Sequence, residues 1–411
     1  MSATLDEARA RDAQDPVRAL RDRFVLPEDV IYMDGNSLGP LLKSARERMG
    51  QAVSVEWGQG LVRSWNDAHW IEAPHRIGGK IARLIGAAPH EVVVADSTSV
   101  IVFKLLVAAL KARPGRSVIL TEAGNFPTDL YVAQGVAATL PGVEVRAVAP
   151  GEIMNAINQD VAVVMLTHIH YKTAARHDMA AITARAHAAG ALTLWDLSHS
   201  AGAVPVNLHA DDTDLAVGCG YKFLNGGPGA PAYVFVAERL QQTLTSPITG
   251  WMGHARAFAF SDDFQPADGM ARWLTGTPPM LSLLALEAGV DLHLEVDQVA
   301  LAAKGRDLWT LFVDRLEARC GAFGFDLITP RDPNQRGSHV ALTHPEGYRI
   351  MQALIARGVI GDFRAPDVLR FAITPLYQRF EDIWRAVEIL AEIMETKAWR
   401  AVAPLADGRV T

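Results

Sequence analysis

Between residues 91 and 237 the chain alternates short apolar runs with stretches of helical spacing. The runs at 91–95, 117–121, 143–148, 161–171, 192–195 and 215–217 are dense in Val, Ile, Leu and Ala. Between several of them lie the helical patterns 100–110, 128–136 and 178–189. Strands and helices in that rhythm predict a mostly parallel sheet with helices on both faces, an α/β fold. Upstream, charged and aliphatic residues alternate and predict a surface helix over about 5–24. Residues 31–40 (IYMDGNSLGP) hold too many turn formers for a helix or strand and predict a connecting loop. Helical patterns follow at 42–58 and 72–86.

Past residue 300 the pattern changes. A helix over 301–319 precedes short strands at 324–328 and 339–342, a helix at 345–357, two runs at 359–364 and 368–372 that read as edge strands, and a closing helix at 379–395. Hairpins with helices on one side make an α+β domain. A long helix opening at Met280 leads into it. The expected division is an N-terminal segment, 1–55, packing with the small domain, a large α/β domain, 56–285, and a small C-terminal domain, 286–411. There is no internal repeat and no low-complexity tract.

The chemistry concentrates in residues 192–232. One apolar run ends in Asp196, with His199 three residues on; the next ends in Gly218-Cys219-Gly220-Tyr221-Lys222, followed by Asn225-Gly226-Gly227-Pro228-Gly229. A charge at the end of a buried strand is costly unless it has a partner or a task. Strand ends of open α/β sheets are where ligands sit. Pyridoxal phosphate needs this pair: a lysine for its aldehyde and a carboxylate at its pyridine nitrogen. The plain alternative is a surface lysine beside a glycine-rich turn.

Composition bounds the partners. The 411 residues carry a net charge of −7, which argues against a nucleic-acid surface but not against a small anionic ligand. The two cysteines, Cys219 and Cys320, allow neither a disulfide framework nor a zinc cluster and fit a reducing, cytoplasmic setting. The polar N-terminus is no secretory signal, and no apolar run reaches membrane-spanning length.

Other motifs admit two readings each. Ser97 and Thr98, at a strand-to-helix junction, are helix caps or, beside Lys222, a phosphate cradle. Phe126, just past a strand end, is a helix entry or a ring that stacks on a planar cofactor. Trp65 and Trp70 flank a polar loop and either rim a ligand or fill a gap between domains. His168 and His170, two apart on a strand, share a face and could bind zinc with Asp196 or His199. That reading leaves the lysine and glycine loop unexplained. Arg370, inside an apolar strand, either takes a carboxylate or forms an internal ion pair with Asp362 or Asp367.

Taken in order, YMDGNSLGP, RSWN, DSTS, NFPTD, WDLSHSAGAVP, GYKFLNGGPGAPA, GWMGH, TGTPPM and LRFAITPLY resemble the kynureninase family over nearly the whole chain. These are pyridoxal-phosphate enzymes of fold type I, the aspartate-aminotransferase fold, related to the class V aminotransferases. The resemblance implies that Lys222 forms the Schiff base, Asp196 pairs with the pyridinium nitrogen and Phe126 stacks on the ring. It implies that Ser97 and Thr98 hold the phosphate, with Asp129, Thr167, His199 and Tyr221 completing the cofactor shell. Trp251 and Thr277 match positions that reach the phosphate from the second subunit of a homodimer. Arg370 matches the arginine for the substrate α-carboxylate, and Asn36, Ser37 and Trp65 match the region of the aryl group.

The implied reaction is hydrolysis of L-kynurenine, or 3-hydroxykynurenine, to anthranilate, or 3-hydroxyanthranilate, and L-alanine. Lys222, Asp196 and Tyr221 are its expected catalytic residues. Two positions depart from the family pattern: Ala174, where a glycine is common after Tyr-x-Thr, and His168 or His170, usually a different residue. Both bear on the substrate pocket rather than on the lysine chemistry. The rival readings are a cysteine desulfurase or lyase, or a class V aminotransferase, with the same cofactor, and a zinc hydrolase built on His168 and His170. A desulfurase needs a reactive thiol in a mobile loop.

Overall fold

The computed structural model describes residues 4–405. The chain divides into two compact units. The larger holds Ala45–Tyr171 and His177–Leu294; the smaller holds the described residues up to Ser44, Lys172–Arg176 and the described residues from Glu295 on. The limits therefore fall at 44/45 and 294/295 rather than at 55/56 and 285/286. The later limit has a packing cause. Helix Met280–Glu295 buries Leu283, Leu286 and Val290 in the core of the larger unit, so nearly the whole helix belongs there. Lys172–Arg176 joins the smaller unit through Ala174, whose carbonyl accepts from Gly337 N, and Arg176, whose N–H donates to Gln335 O at 2.9 Å. Partners that far along the chain leave no mark in local pattern.

In chain order the strands are β1 (Ile31–Tyr32), β2 (Val92–Val94), β3 (Val118–Glu122), β4 (Glu144–Val148), β5 (Val161–Thr167), β6 (Leu192–Asp196), β7 (Leu215–Cys219), β8 (Ala232–Val236), β9 (Asp326–Leu327), β10 (Val340–Thr343), β11 (Val359–Ile360), β12 (Asp362–Arg364) and β13 (Val368–Phe371). The larger unit is built on one sheet in the order β2-β8-β7-β6-β5-β3-β4. All its strands run parallel except β8, which is antiparallel to both neighbours. Every residue of β5 to β8 is buried, as strands covered on both faces require. The register sets Thr167, Asp196 and Val217 side by side, so β5 and β6 end level and β7 runs two residues further.

Helix Met280–Glu295 backs the loop that follows β7. At Gly289 a Cβ would run into the Leu224 carbonyl oxygen, so only glycine lets the helix come this close. One turn on, His293 Nε2 donates to Phe223 O at 2.8 Å. Burial pushes the His293 imidazole down, so it is neutral and Nε2 carries the proton.

The smaller unit holds an antiparallel sheet in the order β12-β13-β10-β9, with its own apolar core from helices Gln298–Cys320, Gly347–Ala356 and Phe380–Thr396. Three expectations change here. β13 is interior, between β12 and β10, not an edge strand. The turn-rich 31–40 stretch begins as a strand, β1, paired in parallel with β11. The helix expected over 5–24 is a helix at Leu5–Gln14 and a separate 3₁₀ turn at Arg18–Arg23, because Pro16 disfavours helix in the residue before it. Among the described residues no helix is long and apolar enough to cross a membrane.

Ala174 sits at φ 60°, in the left-handed region, and is fully buried. Glycine there relieves an intrinsic cost of about 1–2 kcal/mol. It also gives up a buried methyl worth about 0.8 kcal/mol and frees the unfolded chain. Ala174→Gly is therefore expected to change urea-derived stability by less than about 1 kcal/mol, while Ala174→Val, β-branched at the same φ, loses about 2 kcal/mol or more. For Gly289→Ala, the helix-propensity gain of about 1 kcal/mol is outweighed by overpacking against backbone. The expected result is a net loss of about 2 kcal/mol and a lower urea midpoint; an unchanged or raised midpoint would refute the tight approach.

Candidate active site

Five parallel strands of the larger unit end in chemistry. After β2 come Asp96, Ser97 and Thr98; after β3, Asn125 and Phe126; β5 ends in Thr167; β6 ends in Asp196, followed by His199; after β7 come Tyr221 and Lys222. A parallel sheet forces these ends to one edge, where a ligand meets side chains drawn from distant parts of the chain.

Lys222 is buried, with 9% of its surface exposed. Its Nζ lies 3.0 Å from His199 Nε2, 5.6 Å from the centre of the Phe126 ring and 5.8 Å from that of Tyr221. Asp196 is buried beside it, and its Oδ1 accepts from Ser198 N at 2.7 Å. Asp129, in the first turn of helix Pro127–Thr139, points into the same place. Thr167 Oγ1 lies 3.4 Å from Asp129 Oδ2 and donates a short hydrogen bond to Asn125 Oδ1, which also accepts from Phe126 N at 2.8 Å. Burial pushes the Asp129 carboxyl well above the usual range, and the nearby Asp196 pushes it further. Burial raises Asp196 as well, but Ser198 and the Lys222 charge oppose it. The proton of the pair therefore rests on Asp129, and Asp196 carries the negative charge. The Tyr221 phenol is pushed above its ordinary value, chiefly by burial, and stays protonated at neutral pH.

Ser97 caps helix Thr98–Lys111, its side chain accepting from Val100 N. The first turn of any α-helix has amides with no intrahelical acceptor, and here they belong to an exposed Ser97 and a half-buried Thr98. That is an anion site by construction. Trp251 is half-buried, with its ring 5.8 Å from that of Phe258; Thr277 is exposed. Trp65 lies in the larger unit, edge-on to Trp70 at 5.9 Å.

In the smaller unit a second cluster forms. Arg370 on β13 stands opposite Asp362 on β12. Arg370 Nε donates to Asp362 Oδ1 at 2.7 Å and Nη2 to Oδ2, with Ser37 Oγ 3.2 Å from Nη2. Ser37 Oγ donates to Asp362 Oδ2 at 2.7 Å, and Arg364 Nη2 reaches the same oxygen at 2.7 Å. Burial would raise Asp362, but Arg370 and Arg364 hold it below the usual carboxylate range. Of the two acids expected for Arg370, Asp362 is the partner. Next to it, burial and the Asp362 charge push the Asp34 carboxyl up to about 7. Asn36 is 1% exposed, and neither polar atom of its side chain has a hydrogen-bond partner.

Lys222, Asp196, Asp129, Thr167, His199, Tyr221 and Phe126 thus come together in the larger unit, and Arg370, Ser37 and Asn36 belong to the smaller. Asp34, Asn125 and Ser198 were missed at these sites. The choice of Asp362 over Asp367 for Arg370 follows from the β12–β13 register, which the sequence alone does not give. The expected histidine pair comes apart. Both lie past the end of β5, where strand alternation no longer applies: His168 Nδ1 pairs with Ser200 Oγ at 2.9 Å, and His170 Nε2 with Gly124 O at 2.8 Å. Among the described residues no group of three His, Cys, Asp or Glu side chains could hold a metal ion. Both cysteines are buried, and burial pushes the Cys320 thiol up to about 12 and raises that of Cys219. Neither is an accessible nucleophile.

A family model described as the kynureninase C-terminal domain matches residues 301–390. The chain is 50% identical to the kynureninase of Pseudomonas fluorescens over 402 residues, 96% of this chain and 97% of that one. It is 49% identical to the kynureninase of Burkholderia mallei over 404 residues, 97% of each. A cysteine desulfurase from Thermococcus onnurineus NA1 superposes with a TM-score of 0.78 at 18% identity, over 92% of this chain and 98% of that one, and so shares the fold, type I. Half of all positions retained from end to end is far more than a shared fold requires: the chain belongs to the kynureninase family.

Proposed function

We propose that this chain hydrolyses L-kynurenine to anthranilate and L-alanine, and 3-hydroxykynurenine to 3-hydroxyanthranilate and L-alanine, with pyridoxal 5′-phosphate as cofactor. The observation that carries this reading is the buried Lys222 amine set among Asp196, His199 and Phe126 at the parallel strand ends. Identity with kynureninases across nearly the whole chain supports the substrate.

The donor set fits the cofactor. A carboxylate as buried as Asp196 calls for a cation, and a protonated pyridine nitrogen is one. Lys222 offers an amine to the aldehyde, Phe126 a ring to stack on, and Ser97 and Thr98 hydroxyls and amides to the phosphate. Asp129, Thr167, His199 and Tyr221 complete the shell, and Trp251 and Thr277 reach the phosphate of a second subunit in a homodimer. Half-buried Trp251 and exposed Phe258 and Phe260 support the dimer; two unbridged cysteines support a cytoplasmic setting. When bound, the cofactor supplies an aldehyde for the substrate amine and a ring that takes up an electron pair from the substrate's carbon chain.

The residues do the rest. Arg370, held by Asp362, takes the α-carboxylate, and the family resemblance assigns Asn36, Ser37 and Trp65 to the aryl end. Lys222 Nζ, once free, is an amine base for the α-proton. Asp129 keeps its proton, so the negative charge facing the ring sits on Asp196. Water adds across the γ-carbonyl and the β–γ carbon bond breaks. The carbonyl carbon leaves as the carboxyl of anthranilate, and the β-carbon takes a proton to become the methyl of alanine. Tyr221, protonated at neutral pH, gives that proton in this reading.

Three outcomes test this reading. Lys222→Ala should cut anthranilate release, followed by its blue fluorescence, by about 1,000-fold or more; near-normal turnover would sink the assignment. Iodoacetamide applied to the folded enzyme should leave turnover unchanged, because both thiols are buried; loss of activity in step with alkylation would favour the desulfurase reading. The third outcome concerns pH. Below about 7, Asp34 is neutral, and Arg364, Arg370 and Asp362 leave a net charge of +1; above it the sum falls to zero. KM for the substrate, whose α-carboxylate meets this cluster, should therefore rise as pH climbs through 7. In Asp34→Asn that rise should vanish and KM should stay at its low-pH value; a wild-type step surviving in the variant assigns it to another group.

A further inference from the structure

Lys104 is the only lysine among the described residues whose side chain is wholly buried, with 0% exposed. It lies on the inner side of helix Thr98–Lys111, two turns in from the Ser97 cap. An ammonium has three N–H donors, and all three are used. Nζ reaches Asp96 Oδ2 at 2.6 Å, Thr275 Oγ1 at 2.6 Å and Trp273 O at 2.8 Å.

Those acceptors lie on two segments, the turn that enters the Ser97 cap and the stretch that precedes Thr277. Asp96 is the residue before the Ser97 cap. It holds φ at 50°, in the left-handed region, as the chain turns from β2 into the helix. Its backbone is tied to the sheet, with its carbonyl accepting from Ala232 N at 2.9 Å, and its side chain is tied to Lys104. Trp273 and Thr275 lead directly to Thr277. The side chain of Asp96 is 27% exposed. Unpaired, its carboxylate would stand one residue from the amides of the helix N-terminus and repel an anion bound there. Burying a lysine is costly, and its helix neighbours Ile101, Leu105 and Ala108 belong to the apolar core. A methionine would fill the same space without that cost. What a methionine could not do is cancel Asp96 and hold both segments at one point.

We propose that Lys104 is the positioning residue of the cofactor's phosphate site. It fixes the turn that carries the Ser97 and Thr98 donors, neutralises the adjacent Asp96 carboxylate, and locks that turn to the segment leading to Thr277. The inference rests on the reading that Ser97 and Thr98 hold the phosphate.

The test uses apoenzyme titrated with pyridoxal phosphate and, separately, with pyridoxal, which lacks the phosphate; both are followed by visible absorption. Lys104→Met should weaken binding of pyridoxal phosphate by about 30-fold, the scale of a charged hydrogen-bonding group lost, and change pyridoxal affinity less than about twofold. Adding Asp96→Asn to that variant should restore most of the loss. The phosphorus NMR shift of the bound phosphate should move in the single variant and return toward wild type in the double. If Lys104→Met does not fold, Thr275→Val, which removes one acceptor, should still weaken pyridoxal phosphate several-fold and spare pyridoxal. Equal loss for both ligands, or no loss for either, overturns the proposal. Thr98→Val separates the two readings. If it leaves the preference for the phosphorylated ligand intact, the Ser97–Thr98 assignment fails on its own account.

Discussion

The structure turns on a buried amine beside two buried acids. Lys222, Asp196 and Asp129 are all removed from water at the same edge of the sheet. Two carboxylates that close cannot both be charged in so poor a solvent. Burial and mutual repulsion put the proton on Asp129, and the contacts to Ser198 and Lys222 keep the charge on Asp196. The result is a fixed negative charge next to a held amine, before any ligand arrives. Thr167 and Asn125 support that arrangement, since they tie Asp129 and Phe126 to neighbouring strand ends.

Holding a lysine there demands a rigid support, and the helix Met280–Glu295 provides it. It approaches the loop after β7 through Gly289, where no side chain fits, and pins it through His293. The loop itself takes left-handed backbone at Asn225, Gly227 and Gly229. A flexible lysine loop would lose several contacts for each one made to a ligand. This one has been ordered by folding, so binding need not order it again.

The second cluster shows the same economy of charge on a different scaffold. Arg370 is interior to an antiparallel sheet and is held in place by Asp362, which Arg364 and Ser37 also engage. Two guanidinium groups share one carboxylate, which leaves positive charge over. Asp34 sets how much of it remains, because its proton is weakly held near neutrality. An ion pair that looks structural in isolation is thus also the means of aiming an arginine.

Much of this was present in the chain read alone. Alternating apolar runs and helical spacing give a parallel sheet because strands buried on both faces need no polar side. Asp196, Lys222 and the glycine loop point to the cofactor because a charge at the end of an apolar run has so few uses. Family motifs suggested the proposed roles of Phe126, Thr167 and Arg370. Tertiary structure alone decided the rest. The pairing of Asp362 with Arg370 depends on strand register, the separation of His168 from His170 on where β5 stops, and the strand at Ile31–Tyr32 on a partner more than 300 residues away. Lys104, one lysine in a helical pattern, gave no signal at all. Local sequence governs propensity and burial; which charge meets which is settled only when distant segments are packed together.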